Sequence, residues 1–242
     1  EAVKSYTFKI KDDIELPDLP VLAFSSAVKS GRDGATDFTV IDAGTFTLSD
    51  AIDIYKHANN FMIIKVSGRI WKEWIEWSAS QFTSPEDENI LYPNRSRQGF
   101  PGYNFDVFID LDYTIDISRP PRYSSPAKQI NDSKRVVSLK YQGEDIKDDD
   151  EFIIPAHNYR VAYTPFLRDQ EILHEANVSI RDIVIDYMKN KPDFELKNPM
   201  TIIPSGKYYF ISATKARDYI ADEPIRFIRE IDDGFSWYEI EM

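Results

Sequence analysis

The stretch FPGYNFDVFIDLDYTIDISRP, residues 100–120, decides the fold class that the sequence predicts. It begins with the turn signal Pro101-Gly102, after which apolar and polar side chains alternate. Alternation that is rich in aromatic and β-branched residues is typical of half-buried strands, which we place at about 104–118. Pro120 ends the run, because proline cannot donate to a ladder of hydrogen bonds.

The alternation assigns the side chains of this run to two faces. We expect the following residues to share the buried face: Phe105, Val107, Ile109, Leu111, Tyr113, Ile115 and Ile117. The other face carries Phe108 and four aspartates: Asp106, Asp110, Asp112 and Asp116. A polar break near 110–112 predicts either two strands or one bent strand. The aspartates could suggest calcium, but strand alternation explains them better than a ligand loop with its required glycine.

Hydrophobic periodicity predicts helices and further strands elsewhere. Gly68 opens the clearest helix, 69–82, whose Trp71 and Trp74 fall at helical spacing and are expected in the core. The remaining regular elements are a helix at 180–188 and strands at 61–66, 136–141, 152–154, 201–212 and 225–241. Because helices and strands do not alternate regularly, the sequence predicts an α+β fold with mixed sheets and flanking helices. We expect the helix 69–82 to pack on the sheet that contains 104–118.

The domain prediction is a single unit over 1–242, with a lead-in segment at 1–18 and terminal strands at 196–242. Val21–Phe24 predicts a buried strand. Ser49 or Asp50 can cap a short helix that ends at about Tyr55, because their side-chain oxygens accept from the first free N–H groups. Loops or irregular segments are expected at 29–37, 83–99, 122–133 and 155–178.

Composition excludes several classes of function. The chain has 29 basic and 41 acidic residues, a net charge of −12, which argues against a broad surface for a nucleic acid polymer. It has no cysteine, so disulfides and thiolate metal sites are excluded, and this fits an exported protein. No apolar run approaches the roughly 18–20 residues of a membrane-spanning helix.

Several blocks of the sequence resemble, in order, the C-terminal domain of the bacterial 5′-nucleotidase family. The similarity is strongest to the branch of 2′,3′-cyclic-nucleotide 2′-phosphodiesterase/3′-nucleotidases and spans roughly 19–190. The blocks are VLAFSSA at 21–27, IYKHANN at 54–60, KEWIEWSA at 72–79, PGYNFD at 101–106 with YTID at 113–116, DEFII at 150–154 leading to NYR at 158–160, and RD at 181–182.

The resemblance implies an enzyme made of two domains. In that family an N-terminal metallophosphatase domain holds two metal ions through His, Asp and Asn ligands, and the C-terminal domain holds the nucleoside. This chain has three histidines and no Gly-Asn-His-type ligand cluster. We therefore expect no cofactor in this chain, divalent metal ions in a catalytic domain outside it, and no hydrolysis by the isolated chain.

The resemblance also implies four substrate-binding residues. Tyr159 matches one aromatic of the family's base sandwich and His57 matches the opposing aromatic, which is usually Tyr or Phe. Asn59 matches an asparagine that can bond the base edge, and Arg32 matches an arginine that faces the substrate. Each has a plainer alternative: a packed tyrosine, a loop histidine, a turn asparagine and a solvated arginine. Tyr55 is a possible substitute for His57 but is expected to point to the other face.

One departure from the family pattern keeps a second function open. After Arg160 the family runs into glycines, whereas this chain continues as VAYTPF at 161–166. Without glycine the backbone approaches a ligand less freely. The alternatives are therefore the nucleoside-binding half of an exported nucleotidase or phosphodiesterase, and a non-catalytic cell-surface binding module or spacer that kept the fold. Either is expected outside the cell, in the periplasm or at the cell wall.

Overall fold

A computed structural model describes residues 1–82, 90–92, 100–124, 127–190, 197–220 and 224–242. The helices in these ranges are α1 Ala2–Ile10, α2 Leu48–Ile54, α3 Gly68–Ala79, α4 Asn158–Tyr163 and α5 Ile180–Lys189. The strands are β1 Ser25–Ser26, β2 Asn60–Ser67, β3 Ile90–Tyr92, β4 Asp106–Val107, β5 Asp112–Asp116, β6 Val136–Tyr141, β7 Glu144–Asp145, β8 Glu151–His157, β9 Glu171–Ser179, β10 Met200–Ile203, β11 Lys207–Ala213, β12 Ile225–Glu230 and β13 Phe235–Glu241.

The strands form four sheets, in the orders β8-β2-β9, β10-β5-β6-β7, β12-β13-β11-β3 and β1-β4. Most neighbours are antiparallel, while β10 pairs parallel with β5 and β3 parallel with β11. This mixture of sheets and helices confirms the predicted α+β class. The predicted strands at 201–212 and 225–241 are also confirmed, since they form β10 to β13.

The central strand β2 is buried on both faces, which explains its continuous apolar run. Ile64 and its neighbours on one face join the main core, while Phe61 and Ile63 on the other face join a second cluster beneath α1 and α5. Helix α3 contacts β2 and β6. The predicted packing of the tryptophan helix is therefore confirmed for the sheet that contains 112–116, whereas β4 belongs to a separate two-stranded sheet. Trp71 and Trp74 are fully buried.

For residues 100–120, the predicted pattern of buried side chains is correct in the second half and wrong in the first half. Tyr113, Ile115 and Ile117 are buried, as alternation requires. In the first half, however, Asp106 and Phe108 are the buried residues. A 3-10 helix at Gly102–Asn104 precedes β4 and changes the direction of the chain. The buried position of Asp106 is stabilised by an ion pair with a distant arginine, described below.

Other predictions on the N-terminal half need correction. The lead-in segment at 1–18, for which no regular element is predicted, contains helix α1. Helix α2 begins two or three residues earlier than expected, because its N-cap is Thr47 rather than Ser49 or Asp50, and the Asp50 carboxylate accepts from the backbone N–H of Thr47. The predicted strand at Val21–Phe24 is wrong: Val21 makes an isolated parallel bridge to Ile153, and the strand begins at Ser25.

Further corrections concern the middle of the chain. The segment 155–178 was expected to be irregular but continues β8 and contains α4 and most of β9. The predicted strands at 136–141 and 152–154 are present as β6, which pairs with β5, and β8, which pairs with β2. Of the predicted loop at 83–99, residues 90–92 form β3, and the rest lies outside the described residues.

Candidate functional site

A cavity of about 650 Å³ opens at one end of the β8-β2-β9 sheet. The antiparallel pairing of β8 with β2 places His157, the last residue of β8, opposite Phe61. The chain leading into β2 is held there because the backbone N–H of Ile180 donates to the carbonyl of Asn59 at 2.9 Å. The end of β8, the start of β2 and the start of α5 therefore meet at the cavity.

All four residues predicted from the family resemblance line this cavity: Arg32, His57, Asn59 and Tyr159. They come from the loop before α2, the turn after α2 and the short helix α4. Only the folded chain brings these segments together. The structure thus places the four side chains at one site, and their role in binding remains a prediction.

Tyr159 stands in a column of three rings. Its ring is nearly parallel to that of His157, with centroids 6.4 Å apart and an interplanar angle of 18°. On α4, one helical turn further along, Tyr163 stacks on Tyr159 at 4.5 Å. Tyr159 is 40% exposed and Tyr163 67% exposed, so the column runs from the cavity wall to solvent.

Tyr55 lines the same cavity, which corrects the expectation that it faces away. Tyr55 is the C-cap of α2, with backbone angles φ −139° and ψ 89°. It lies outside any strand, so strand alternation does not predict the direction of its side chain. Its ring contacts His57 edge-on at a centroid distance of 6.3 Å. Burial, with help from Lys56 and Arg181, lowers the pKa of His57. The lowered pKa favours the neutral form of the His57 imidazole.

A hydrogen-bond chain connects the polar groups of the cavity. The backbone N–H of Arg160 donates to His157 Nδ1 at 3.1 Å, which makes His157 the N-cap of α4. Asn59 Nδ2 lies 3.5 Å from the same Nδ1 and donates to the Tyr55 hydroxyl at 2.9 Å. Burial, followed by the charge of Arg160, lowers the pKa of His157 to about 3. This imidazole is neutral at pH 7.

A buried ion pair stands behind the cavity wall. Arg160 Nη2 lies 3.0 Å from Asp106 Oδ1, and it also donates to the carbonyl of Tyr103 at 2.6 Å. Asp106 accepts further hydrogen bonds from Ser26 and from Trp74 Nε1. The pair ties α4 to the PGYNFD block and to α3. It therefore fixes the position of the helix that carries Tyr159.

Arg32 lies at the rim on a second aromatic residue. Its guanidinium group stands 5.1 Å above the centre of the Tyr103 ring and donates to the Tyr103 hydroxyl. Tyr103 and Arg32 both line the cavity. A guanidinium group so held can bind phosphate or ribose oxygens in a fork.

The sequence reasoning missed the roles of His157, Tyr103 and Arg160 in this site. The sequence did offer a signal, because Tyr103 lies in the block PGYNFD and Arg160 in the block NYR, both of which match the family. The absence of glycine after Arg160 also has a structural counterpart: helix α4 occupies 158–163.

Within the described ranges, no group of three or more His, Asp or Glu side chains is arranged to hold a metal ion. No helix in the same ranges has the length and apolar character needed to cross a membrane.

Comparison with known proteins identifies the family. Residues 22–166 match the family model described as 5′-nucleotidase, C-terminal domain. Because this match covers more than half of the 242 residues, the chain belongs to the 5′-nucleotidase C-terminal domain family. The resemblance noted from the sequence blocks is thereby confirmed.

Two curated relatives match over the whole of this chain. The trifunctional nucleotide phosphoesterase protein YfkN of Bacillus subtilis is 31% identical over 258 residues, and the chain covers 17% of it. The 2′,3′-cyclic-nucleotide 2′-phosphodiesterase/3′-nucleotidase of Haemophilus influenzae is 33% identical over 269 residues, and the chain covers 40% of it. The chain thus spans less than half the length of either relative and corresponds to a C-terminal domain of such proteins.

Solved structures share the fold. A Staphylococcus aureus protein described as a 5′-nucleotidase, solved with α-ketoglutarate, matches 81% of this chain and 35% of its own with a TM-score of 0.57 and 21% identity. A 5′-nucleotidase precursor from Thermus thermophilus matches 85% of this chain and 35% of its own with a TM-score of 0.56 and 14% identity. At these identities the likeness establishes the fold alone.

Proposed function

We propose that this chain is the nucleoside-binding part of a nucleotidase or 2′,3′-cyclic-nucleotide phosphodiesterase. The observation that carries the proposal is that Tyr159, His57, Asn59 and Arg32, from separate segments, line one cavity. Its volume of about 650 Å³ lies within the range of roughly 300–1,000 Å³ typical of small-molecule sites. The activities that the names of the curated relatives state, on nucleotides and 2′,3′-cyclic nucleotides, support the same ligand class.

The side chains suit the parts of a nucleotide. Tyr159 offers an aromatic face for stacking on a base, and stacking is worth roughly 1–3 kcal/mol per base. His57 and Tyr55 supply the opposing apolar wall. Arg32 brings a positive charge to the rim of a chain whose net charge is −12, which favours an anionic group at that position.

The chain would contribute positioning rather than bond cleavage. In this proposal it clamps base and ribose and presents the phosphate to a metallophosphatase domain, where metal-activated water attacks. Fixing the reacting groups in a productive geometry raises the rate by removing the entropy cost of bringing them together.

An exported location is part of the proposal. The absence of cysteine, which avoids stray oxidation outside the cytoplasm, is consistent with it.

A second candidate function is a cell-surface binding module without enzymatic activity. The observation that favours it is helix α4 at 158–163, where the family pattern has glycines. In this reading the backbone beside Tyr159 cannot approach a ribose closely, and the cavity serves another small ligand.

Titration of adenosine into the purified chain separates the two candidates. The first predicts weak binding that Tyr159→Ala reduces by roughly 1–3 kcal/mol, because one stacking face is lost. Tyr219→Ala is the matched control, since this tyrosine is 54% exposed on the 3-10 helix at Thr214–Tyr219. Absence of adenosine binding, or equal loss in both variants, contradicts the proposal.

A further inference from the structure

Arg32 differs from the other basic side chains that line the cavity, because its contacts leave its charge uncompensated. The others each have a carboxylate partner: Lys56 with Asp37 at 3.6 Å and Arg160 with Asp106 at 3.0 Å. Arg32 has no such partner among the residues that the structure describes. Its guanidinium group instead lies 5.1 Å from the ring centre of Tyr103 and donates to the Tyr103 hydroxyl. A neutral side chain thus holds the guanidinium group without neutralising it.

Tyr103 is itself anchored to the helix that carries Tyr159. It lies in the 3-10 helix Gly102–Asn104, and its carbonyl oxygen accepts from Arg160 Nη2 at 2.6 Å. Arg160 Nη1 also donates to the side-chain oxygen of the next residue, Asn104, at 3.1 Å. Because Arg160 belongs to α4, these bonds fix Tyr103 relative to Tyr159. The position of the cation is therefore coupled, through Tyr103, to the position of the stacking ring.

The backbone that carries Arg32 is held in a closed loop. The N–H of Gly31 donates to the carbonyl of Asp37 at 2.8 Å, and Ser30 and Phe38 form an isolated antiparallel bridge. Gly31 has a φ of +79°, and a Cβ at this position would lie 2.7 Å from the ring of Phe38, so the loop depends on glycine here. The loop fixes the start of the Arg32 side chain. Its long stem is the part that Tyr103 has to order.

We propose that Tyr103 is a positioning residue, which orders the guanidinium group of Arg32 and keeps its charge available for an anionic group of the ligand, such as a phosphate. This inference rests on the proposed function, in which Arg32 meets the anionic part of a nucleotide, and it adds the role of Tyr103. An arginine side chain loses much rotamer freedom when it is fixed. If Tyr103 fixes it before the ligand arrives, less of that cost falls on binding, and the affinity for the phosphate rises.

Two ligands that differ only in the phosphate test this role. Adenosine 3′-monophosphate carries a phosphate and adenosine lacks it, so the ratio of their dissociation constants reports the contacts of the phosphate. We expect the unaltered chain to prefer the monophosphate about 10-fold, the lower end of what a hydrogen bond to a charged group contributes. Tyr103→Leu should reduce this preference about 2- to 5-fold, the effect of losing an exposed cation–π contact. Tyr103→Phe keeps the ring but loses the hydroxyl and should give an intermediate preference.

Two further variants show whether Tyr103 acts through Arg32. In Arg32→Ala the preference for the monophosphate should fall toward unity, and Tyr103→Leu added to that variant should lower it no further. A merely structural role of Tyr103 would weaken the binding of both ligands equally and leave their ratio unchanged. Tyr219→Leu, a change of an exposed tyrosine on the 3-10 helix Thr214–Tyr219, is the matched control and should also leave the ratio unchanged.

Each result supports or contradicts the inference. An unchanged or increased preference for the monophosphate in folded Tyr103→Leu overturns it, and so does a further fall when Tyr103→Leu is added to Arg32→Ala. If Tyr103→Leu does not fold, Tyr103→Phe decides, since a preference equal to that of the unaltered chain then overturns the inference. Equal affinity of the unaltered chain for both ligands overturns it and leaves nucleoside binding in place. Absence of binding by either ligand instead refutes the proposed function, and this inference falls with it.

Discussion

Arg160 and Asp106 form an ion pair with 3.0 Å between Nη2 and Oδ1, and both side chains are almost fully buried. Burial raises the pKa of the Asp106 carboxyl, while the charge of Arg160 and the hydrogen bonds from Ser26 and Trp74 oppose that rise. The pair joins helix α4, which carries Tyr159, to the block PGYNFD. The position of the cavity wall thus depends on two charged residues that are far apart in the sequence.

Asp106→Asn tests how much this ion pair stabilises the folded chain. The substitution keeps the shape of the side chain but leaves the guanidinium group of Arg160 as an unpaired buried charge. We expect a loss of roughly 3–5 kcal/mol in the free energy of unfolding, measured by urea denaturation at pH 7. Asp112→Asn, an exposed change in β5, is the control and should cost little. A loss below about 1 kcal/mol in Asp106→Asn would show that the pair does not hold α4.

Tyr163→Ala tests whether the ring column supports Tyr159. Tyr163 stacks on Tyr159 at 4.5 Å and is 67% exposed, so its removal should hardly change stability. The Tyr159 ring would lose the partner that limits its motion. We expect adenosine affinity to fall by about 0.5–1.5 kcal/mol, the usual size of an aromatic pair contribution. Unchanged or improved affinity in a folded variant would exclude this supporting role.

The buried His157 predicts a pH dependence of stability. Its pKa is 6.5 as a free side chain and about 3 in the folded chain, so between these values the unfolded chain binds more protons. The contribution of neutral His157 to the free energy of unfolding is fully present above pH 6.5 and is lost as the pH falls toward 3. Over this range the free energy of unfolding changes by up to about 1.4 kcal/mol per pH unit.

His157→Asn isolates this contribution. Asparagine is a good N-cap, so the variant keeps an acceptor for the N–H of Arg160 but does not titrate. We expect the free energy of unfolding of the unaltered chain to fall more steeply from pH 7 to pH 5 than that of the variant. Other groups, including His57 and Glu76, titrate in both proteins and cancel in the comparison. Parallel curves would mean that the pKa of His157 is the same in the folded and the unfolded chain, which would contradict its burial as a neutral group.

Secondary structure was predictable where one periodicity dominated. Trp71 and Trp74 recur at helical spacing, and Tyr113, Ile115 and Ile117 at strand spacing, and all five are buried. Prediction failed for α4 and β9. The cap of α4 is a histidine, which is not among the usual capping residues, and β9 mixes exposed and half-buried positions in the sequence EILHEANVS.

The candidate site was predictable only through the family resemblance. No local pattern connects Arg32 with Tyr159, because the contact between their segments depends on the whole fold. Asp106 was assigned to an exposed face for the same reason: its partner, Arg160, lies 54 positions along the chain. A buried charge is stable only with such a partner, and a strand pattern carries no information about it. Tyr55 was misplaced because its direction follows from contacts with His57 and Asn59 at the cavity, which the local sequence does not show.

The isolated chain is predicted to hydrolyse no phosphoester. Two-metal hydrolysis needs a dense set of His and Asp ligands that hold two ions about 4 Å apart, and this sequence has three histidines. Purified chain with manganese and bis(p-nitrophenyl) phosphate should give the rate of the buffer alone. Turnover that follows the chain through successive chromatography steps would refute this expectation.

A crystal structure of the chain with adenosine tests the central claim most directly. The account predicts that the base lies in the cavity with one face on the ring of Tyr159 and with an edge of the base toward Asn59. His57 and Tyr55 should line the opposite wall and Arg32 the side of the ribose. Adenosine bound elsewhere on the surface, or an empty cavity at a ligand concentration that saturates binding in solution, would contradict the claim.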